Sequence, residues 1–172
     1  ITCFDSLNRH YHTFGLGEFN NKDEDVTYVK CTSERELFMK FVEYVEKDYP
    51  DIMSGWNSEF FDLPYILNRC TRILGEEWTN RISPSGNVYS RTIRGQFGQE
   101  QTRWYVEGIS LIDYLDVYKR FSVGIKESYK LDAIGEAELG EKKVDFGNMN
   151  LATLADTDWQ TFVEYNIQDV RL

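Results

Sequence analysis

Ser33-Glu34-Arg35-Glu36 writes a helix start into the chain. A serine followed three residues later by glutamate is a capping box, in which the two side chains reciprocally satisfy free backbone amides. Leu37, Phe38, Phe41, Val42 and Val45 then recur at helical spacing, and Pro50 ends the run. The pattern predicts an amphipathic helix over 34–48. Before it, residues 26–31 (VTYVKC) read as a short strand, and after it residues 51–56 (DIMSGW) suit a buried one. Strands mixed with helices in this way predict an α/β layer fold.

The remainder extends that alternation. Residues 1–5 and 9–14 read as strands around a polar turn, and 15–25 as a loop rich in Gly, Asn and acids. Leu63 to Leu74 is helical, with Pro64 in its first turn and Gly75 after its end. Residues 83–110 differ: after the turn Pro84-Ser85-Gly86-Asn87, polar and apolar residues alternate, which predicts an inserted β-hairpin carrying Arg91, Arg94 and Arg103. A core strand is expected at 109–113 and helices at 114–121 and at 129–139, the latter interrupted by Gly135. The last helix is predicted to begin at Thr157, where Thr157 and Gln160 form a second capping box.

Bulk composition bounds the function. The chain's 172 residues suffice for one domain with a sizeable core. Its 29 acids against 19 Lys and Arg leave a formal charge of −10, so phosphate backbones repel it unless metals or basic neighbours intervene. Three dispersed cysteines form no CxxC pair and suit a reducing cytosol, so a cytoplasmic location is expected. No apolar run reaches the ~18 residues that span a membrane.

Several residues can carry chemistry. Asp62 stands before Leu63-Pro64 in "SGWNSEFFDLPYI", between a strand and a helix. It can cap that helix, or it can be a ligand at a sheet edge, where α/β proteins bind theirs. Asn57 lies in the same turn, and Phe60 and Phe61 can stack on bases or join the core. Tyr165 and Asp169 are four apart on one helical face and can hold a water and a metal ion, or can be ordinary packing and a solvated acid. Asp113 or Asp116 is read as the cap of the helix at 114–121. His10 and His12 lack a third ligand for zinc.

In order along the chain, "GWNSEFFDLPYI" and "YNIQD" (165–169) resemble the second and third exonuclease motifs of family B DNA polymerases. "GISLIDYLDVYKRF" (108–121) and "ESYKLDAIGEAELGEKKVDF" (127–146) are similar to the segments between them. The likeness covers essentially the whole chain and is closest to the polymerases of tailed phages. It implies an RNase H-like mixed sheet flanked by helices, with 83–110 as a hairpin that helps move the primer end between sites. It implies removal of mispaired 3′-terminal nucleotides with two divalent ions, Mg²⁺ or Mn²⁺. Asp62 and Asp169 would be metal ligands, and Tyr165 would orient the attacking water. Asn57 and Phe61 would contact the single-stranded primer end, with Arg91 and Arg94 as further DNA contacts. The implied partners are that primer end, the N-terminal, palm, fingers and thumb domains of a polymerase, and a sliding clamp.

One departure stands out. The family's first-strand Asp-x-Glu pair has no match: Asp23-Glu24-Asp25 and Glu34-Arg35-Glu36 lie in a loop and a helix cap. The chain is therefore expected to begin downstream of that motif and to be inactive, or nearly so, by itself. The rival reading is a non-catalytic DNA-binding or structural module of a polymerase. A free-standing nuclease of another family is disfavoured by the hairpin and by "SYKLDAIGEAELG".

Overall fold

A computed structural model describes residues 1–94, 100–124, 126–145, 147 and 149–172. The chain divides into two compact units, residues 1–37 with 125–172, and residues 38–124.

The first unit holds a three-stranded sheet. β1 (Thr2–Asp5) runs antiparallel to β2 (His10–Gly15), and β2 runs parallel to β3 (Val26–Lys30). The parallel pair needs a crossover, which residues 16–25 supply. Val26 buries against Val163 and Ile167 of the C-terminal helix, with Tyr11, Phe19, Tyr28 and Trp159 packed around them. The tyrosine and tryptophan polar tips are satisfied, Tyr28 donating to the Gly17 carbonyl (2.7 Å) and the Trp159 indole donating to Tyr28 (3.1 Å). Thr2 donates to Asn166 Oδ1 at 2.6 Å, fixing β1 against the same helix.

α1 (Glu34–Lys47) starts as predicted. Ser33 Oγ accepts from the Glu36 amide at 3.2 Å, but Glu36 reaches one residue further back than a capping box requires and accepts from the Thr32 amide at 2.7 Å.

In the second unit β4 (Ile52–Gly55) pairs in parallel with β7 (Ser110–Asp113), Gly55 opposite Asp113. The strand expected at 51–56 is therefore present but not buried: Ile52 is 56% exposed. α2 (Asp62–Leu74) buries Leu67 and Cys70. Gly75, at φ +94°, ends it where an L side chain would be strained. A short α3 (Glu76–Asn80), not foreseen, follows and is bonded back through Thr79 to Thr71 at 2.9 Å. The hairpin is present as β5 (Val88–Arg94) and β6 (Glu100–Val106), antiparallel, and its tip at 95–99 lies outside the described residues. α4 (Tyr114–Phe121) has the predicted bounds.

Back in the first unit, α5 (Leu131–Leu139) is continuous through Gly135. That glycine is buried, and a Cβ there would meet Leu172 Cδ2 at 3.0 Å and the Glu141 carbonyl at 3.2 Å, so it serves close packing rather than a break. The last helix does not begin at Thr157. Thr157 ends α6 (Leu151–Thr157), and Asp158 caps α7 (Trp159–Arg171), accepting from the Thr161 amide at 3.1 Å. Among the described residues the strands form three small sheets, of three, two and two strands. The architecture is mixed α/β. No helix among the described residues is long and apolar enough to cross a membrane.

Candidate active site

The turn between β4 and α2 is built on a carboxylate from the neighbouring strand. Because β4 and β7 end level, the side chain of Asp113 reaches across to the turn. Its Oδ1 accepts from the Asn57 amide (2.9 Å) and the Leu115 amide (3.0 Å), and its Oδ2 from the Glu59 amide (3.1 Å). Asp113 thus caps α4, as the sequence suggested, and also shapes the turn, which it did not suggest. It is only 7% exposed, and the three donors satisfy it. Asn57 takes φ +58°, a left-handed conformation that asparagine tolerates better than most residues. Ser58 closes the turn, donating to the Gly55 carbonyl at 3.2 Å and accepting from the Leu63 amide through its own carbonyl at 3.0 Å.

Asp62 is the first residue of α2, not its side-chain cap; Phe61 holds the cap position without a capping hydrogen bond. An acid in the first turn interacts favourably with the helix macrodipole. Phe61 is 72% exposed, and Phe60 is exposed beside it, so neither is core. Asn57, Phe61 and Asp62 thus share one exposed turn.

The hairpin adds an ion pair to that turn. Arg103 of β6 grips Glu59 through two hydrogen bonds, Nε to Oε1 and Nη2 to Oε2 (2.8 Å for the latter). The hydrogen bond to Glu59 holds the Arg103 guanidinium above its ordinary pKa. Arg91 stands opposite Arg103 in the ladder and lies over the rings of Tyr89 (5.0 Å) and Tyr105 (5.8 Å), which stack on each other at 5.2 Å. Arg94 is three residues from Arg91 and so points to the opposite face of the hairpin, across from Glu100.

In the first unit, Tyr165 and Asp169 lie on one face of α7 and share a partner that the sequence reading missed. Lys143 Nζ donates to Tyr165 Oη at 3.2 Å and to Asp169 Oδ2 at 3.0 Å. Asp169 Oδ1 is also 3.0 Å from that nitrogen, but it is buried and receives no hydrogen bond. Burial pushes the Lys143 ammonium down, but its bonds to Asp169 and Tyr165 outweigh that and hold it above the usual lysine value. The segment is pinned by the Lys143 amide donating to Asp132 (2.9 Å) and by Gln168 donating to Glu141 (3.2 Å). The available signal was the basic pair Lys142-Lys143 in an acidic chain.

His10 is bonded to Thr27 at 2.8 Å and rests 5.1 Å from the His12 ring. Among the described residues no group of three or more His, Cys, Asp or Glu is placed to hold a metal ion.

The described residues form a mixed α/β domain with Asp62 on an exposed strand-to-helix turn in one unit and Tyr165 and Asp169 on one helical face in the other. A family model for the DNA polymerase family B exonuclease domain matches residues 3–134. The DNA-directed DNA polymerase of Enterobacteria phage T4 is 37% identical over 146 residues, 84% of this chain and 16% of that polymerase. That of Escherichia phage RB69 is 35% identical over 195 aligned positions, 99% of this chain and 21% of the polymerase. A DNA polymerase of Thermococcus litoralis is 27% identical over 161 residues, covering 87% of this chain and 9% of its own length. The chain belongs to the exonuclease domains of family B DNA polymerases. It spans a sixth to a fifth of the two phage polymerases.

Proposed function

We propose that the chain is the 3′–5′ proofreading exonuclease domain of a family B DNA polymerase, with an RNase H-like fold. It hydrolyses the last phosphodiester bond of a mispaired primer end. The observation that carries this reading is the α7 cluster: a partly buried aspartate with one buried oxygen lacking a hydrogen bond, one turn from a phenol. A carboxylate oxygen is a hard donor suited to Mg²⁺ or Mn²⁺. Asp62 and Asp169 are the ligands this chain offers. Two such ions, when bound, ease deprotonation of the attacking water and stabilise charge on the entering and leaving oxygens.

The chain's own groups do the rest. Lys143 is a pure donor, so the Tyr165 oxygen accepts from it. Tyr165 therefore orients without adding charge. The exposed Phe61 offers a face on which a terminal base stacks, worth ~1–3 kcal/mol without regard to sequence. Asn57 stands beside it in the turn. Arg91 shares a hairpin face with two tyrosines and is a stronger candidate for the DNA backbone than Arg94, which has Glu100 across from it. Mispaired ends melt more readily, so a single-strand site selects errors without reading any base. The partners in this reading are the primer end and the other polymerase domains.

The Lys143 bond also favours a second reading, a non-catalytic module in which Asp169 is a neutralised structural acid. Substitution in the intact polymerase separates the two. Asp62→Ala or Asp169→Ala is expected to abolish excision of a 3′-labelled primer while leaving synthesis largely intact, and Tyr165→Phe to cost less. Unchanged excision in Asp169→Ala would establish the second reading.

A further inference from the structure

We propose that Glu59 and Arg103 form a positioning pair that fixes the β4–α2 turn to the hairpin, so that Asn57 and Phe61 meet the DNA end in one preset arrangement. The inference rests on the proofreading function proposed above and adds two residues to which the sequence reading gave no role in the site.

Three observations carry it. Glu59 is placed by its backbone before its side chain is used: its amide is tied to the buried Asp113, which also holds Asn57. Its side chain is only 13% exposed, and its carboxylate takes Arg103 through two parallel hydrogen bonds, a geometry that fixes orientation as well as distance. Arg103 in turn faces Arg91 across the ladder, an arrangement of like charges that is unfavourable unless one is countered. Arg91 is laid over the tyrosine pair, and Glu59 counters Arg103.

The hairpin is also held at its base. Ser83 Oγ donates to the Glu107 carbonyl at 2.7 Å, and the Val88 amide donates to Asn80 Oδ1 at 3.1 Å. Arg103 is three residues up β6 from Val106, ~10 Å along the strand. A ribbon held at its base and again ~10 Å higher is fixed in direction, and the turn that supplies the second hold is fixed with it. Loss of the pair frees both partners while leaving Asp62 on its helix. The expected signature is weaker capture of the DNA end with the chemical step nearly intact.

The test uses the intact polymerase and steady-state excision on a 3′-labelled single-stranded oligonucleotide. Glu59→Gln and Arg103→Gln, made singly and together, are compared with Arg103→Lys and with Asp62→Ala. Each Gln variant is expected to raise KM about tenfold, the factor given by ~1.4 kcal/mol, with kcat changed less than twofold. The double variant is expected to lose no more than either single one, because both remove one interaction. Arg103→Lys, which keeps the charge, is expected to recover part of the loss, and it stands in for Arg103→Gln should that variant fail to fold. Unchanged KM in the Glu59 and Arg103 variants, or additive losses, overturns the positioning pair; if Asp62→Ala abolishes excision in the same series, the proofreading reading survives. Intact excision in Asp62→Ala overturns both.

Discussion

Asp113→Ala is the sharpest structural perturbation the molecule offers. The wild-type carboxylate accepts three backbone amides, from Asn57, Glu59 and Leu115, at 2.9 to 3.1 Å. Each hydrogen bond to a charged acceptor is worth ~1.5–3 kcal/mol net, and loss of a helix N-cap by itself costs ~1 kcal/mol. Water reaches the exposed turn once the side chain is removed and offsets part of the loss, so ~3 kcal/mol is the expected destabilisation. For a chain of this size that lowers Tm by ~6–12 °C. Asp113→Asn keeps an oxygen for the two donors at Oδ1 but turns an NH₂ toward the Glu59 amide, and is expected to cost about half as much. Thermal melts give the total, and amide hydrogen exchange locates it. Protection should fall at residues 57, 59 and 115 and be unchanged at residues 28 and 163. A loss below ~1 kcal/mol with residues 57 and 59 still protected would refute the claim that Asp113 organises the turn.

Two further outcomes concern the first unit. A Cβ at Gly17 would lie 2.6 Å from the Trp159 ring, so Gly17→Ala should cost ~1–3 kcal/mol by overpacking and break the Trp159–Tyr28 hydrogen bond, measurable as a lowered urea midpoint. Lys143 is held above the usual lysine value of 10.5, so its stabilising charge is complete below that pH and is lost only as pH rises through the raised folded value. The gap in urea midpoint between the wild type and Lys143→Met should therefore be constant from about pH 7 to 10 and close above it.

Local signals read well in this sequence. α4 has its predicted bounds, and α1 and the hairpin strands follow from spacing, because neighbours along the chain decide them. Competing local signals did less well. Thr157…Gln160 and Asp158…Thr161 offer overlapping helix starts, and the structure takes Asp158, whose side chain also receives the Thr161 hydroxyl at 2.7 Å. Gln160 instead donates to Glu164 at 2.8 Å. α6 is seven residues long, too short for periodicity to mark. Long-range partners left no trace in the pattern. Glu59 meets Arg103 across 44 residues, and Lys143 meets Asp169 across 26, so neither pairing falls within a single motif. The exposure of Phe60 and Phe61 was equally hidden, because an aromatic pair looks the same in a core or on a turn. Asp62, Tyr165 and Asp169 were legible only through the resemblance of their surroundings to the family.

The reach of Asp113 also sets an order of events during folding. Its bonds to residues 57 and 59 close excursions of 56 and 54 residues, an entropic toll of about 3.5 kcal/mol beyond a constant term. That toll is comparable with what the bonds return, whereas α2 and the hairpin close over short distances and form early. The turn beside Asp62 is therefore expected to form after α2 and the hairpin of its own unit.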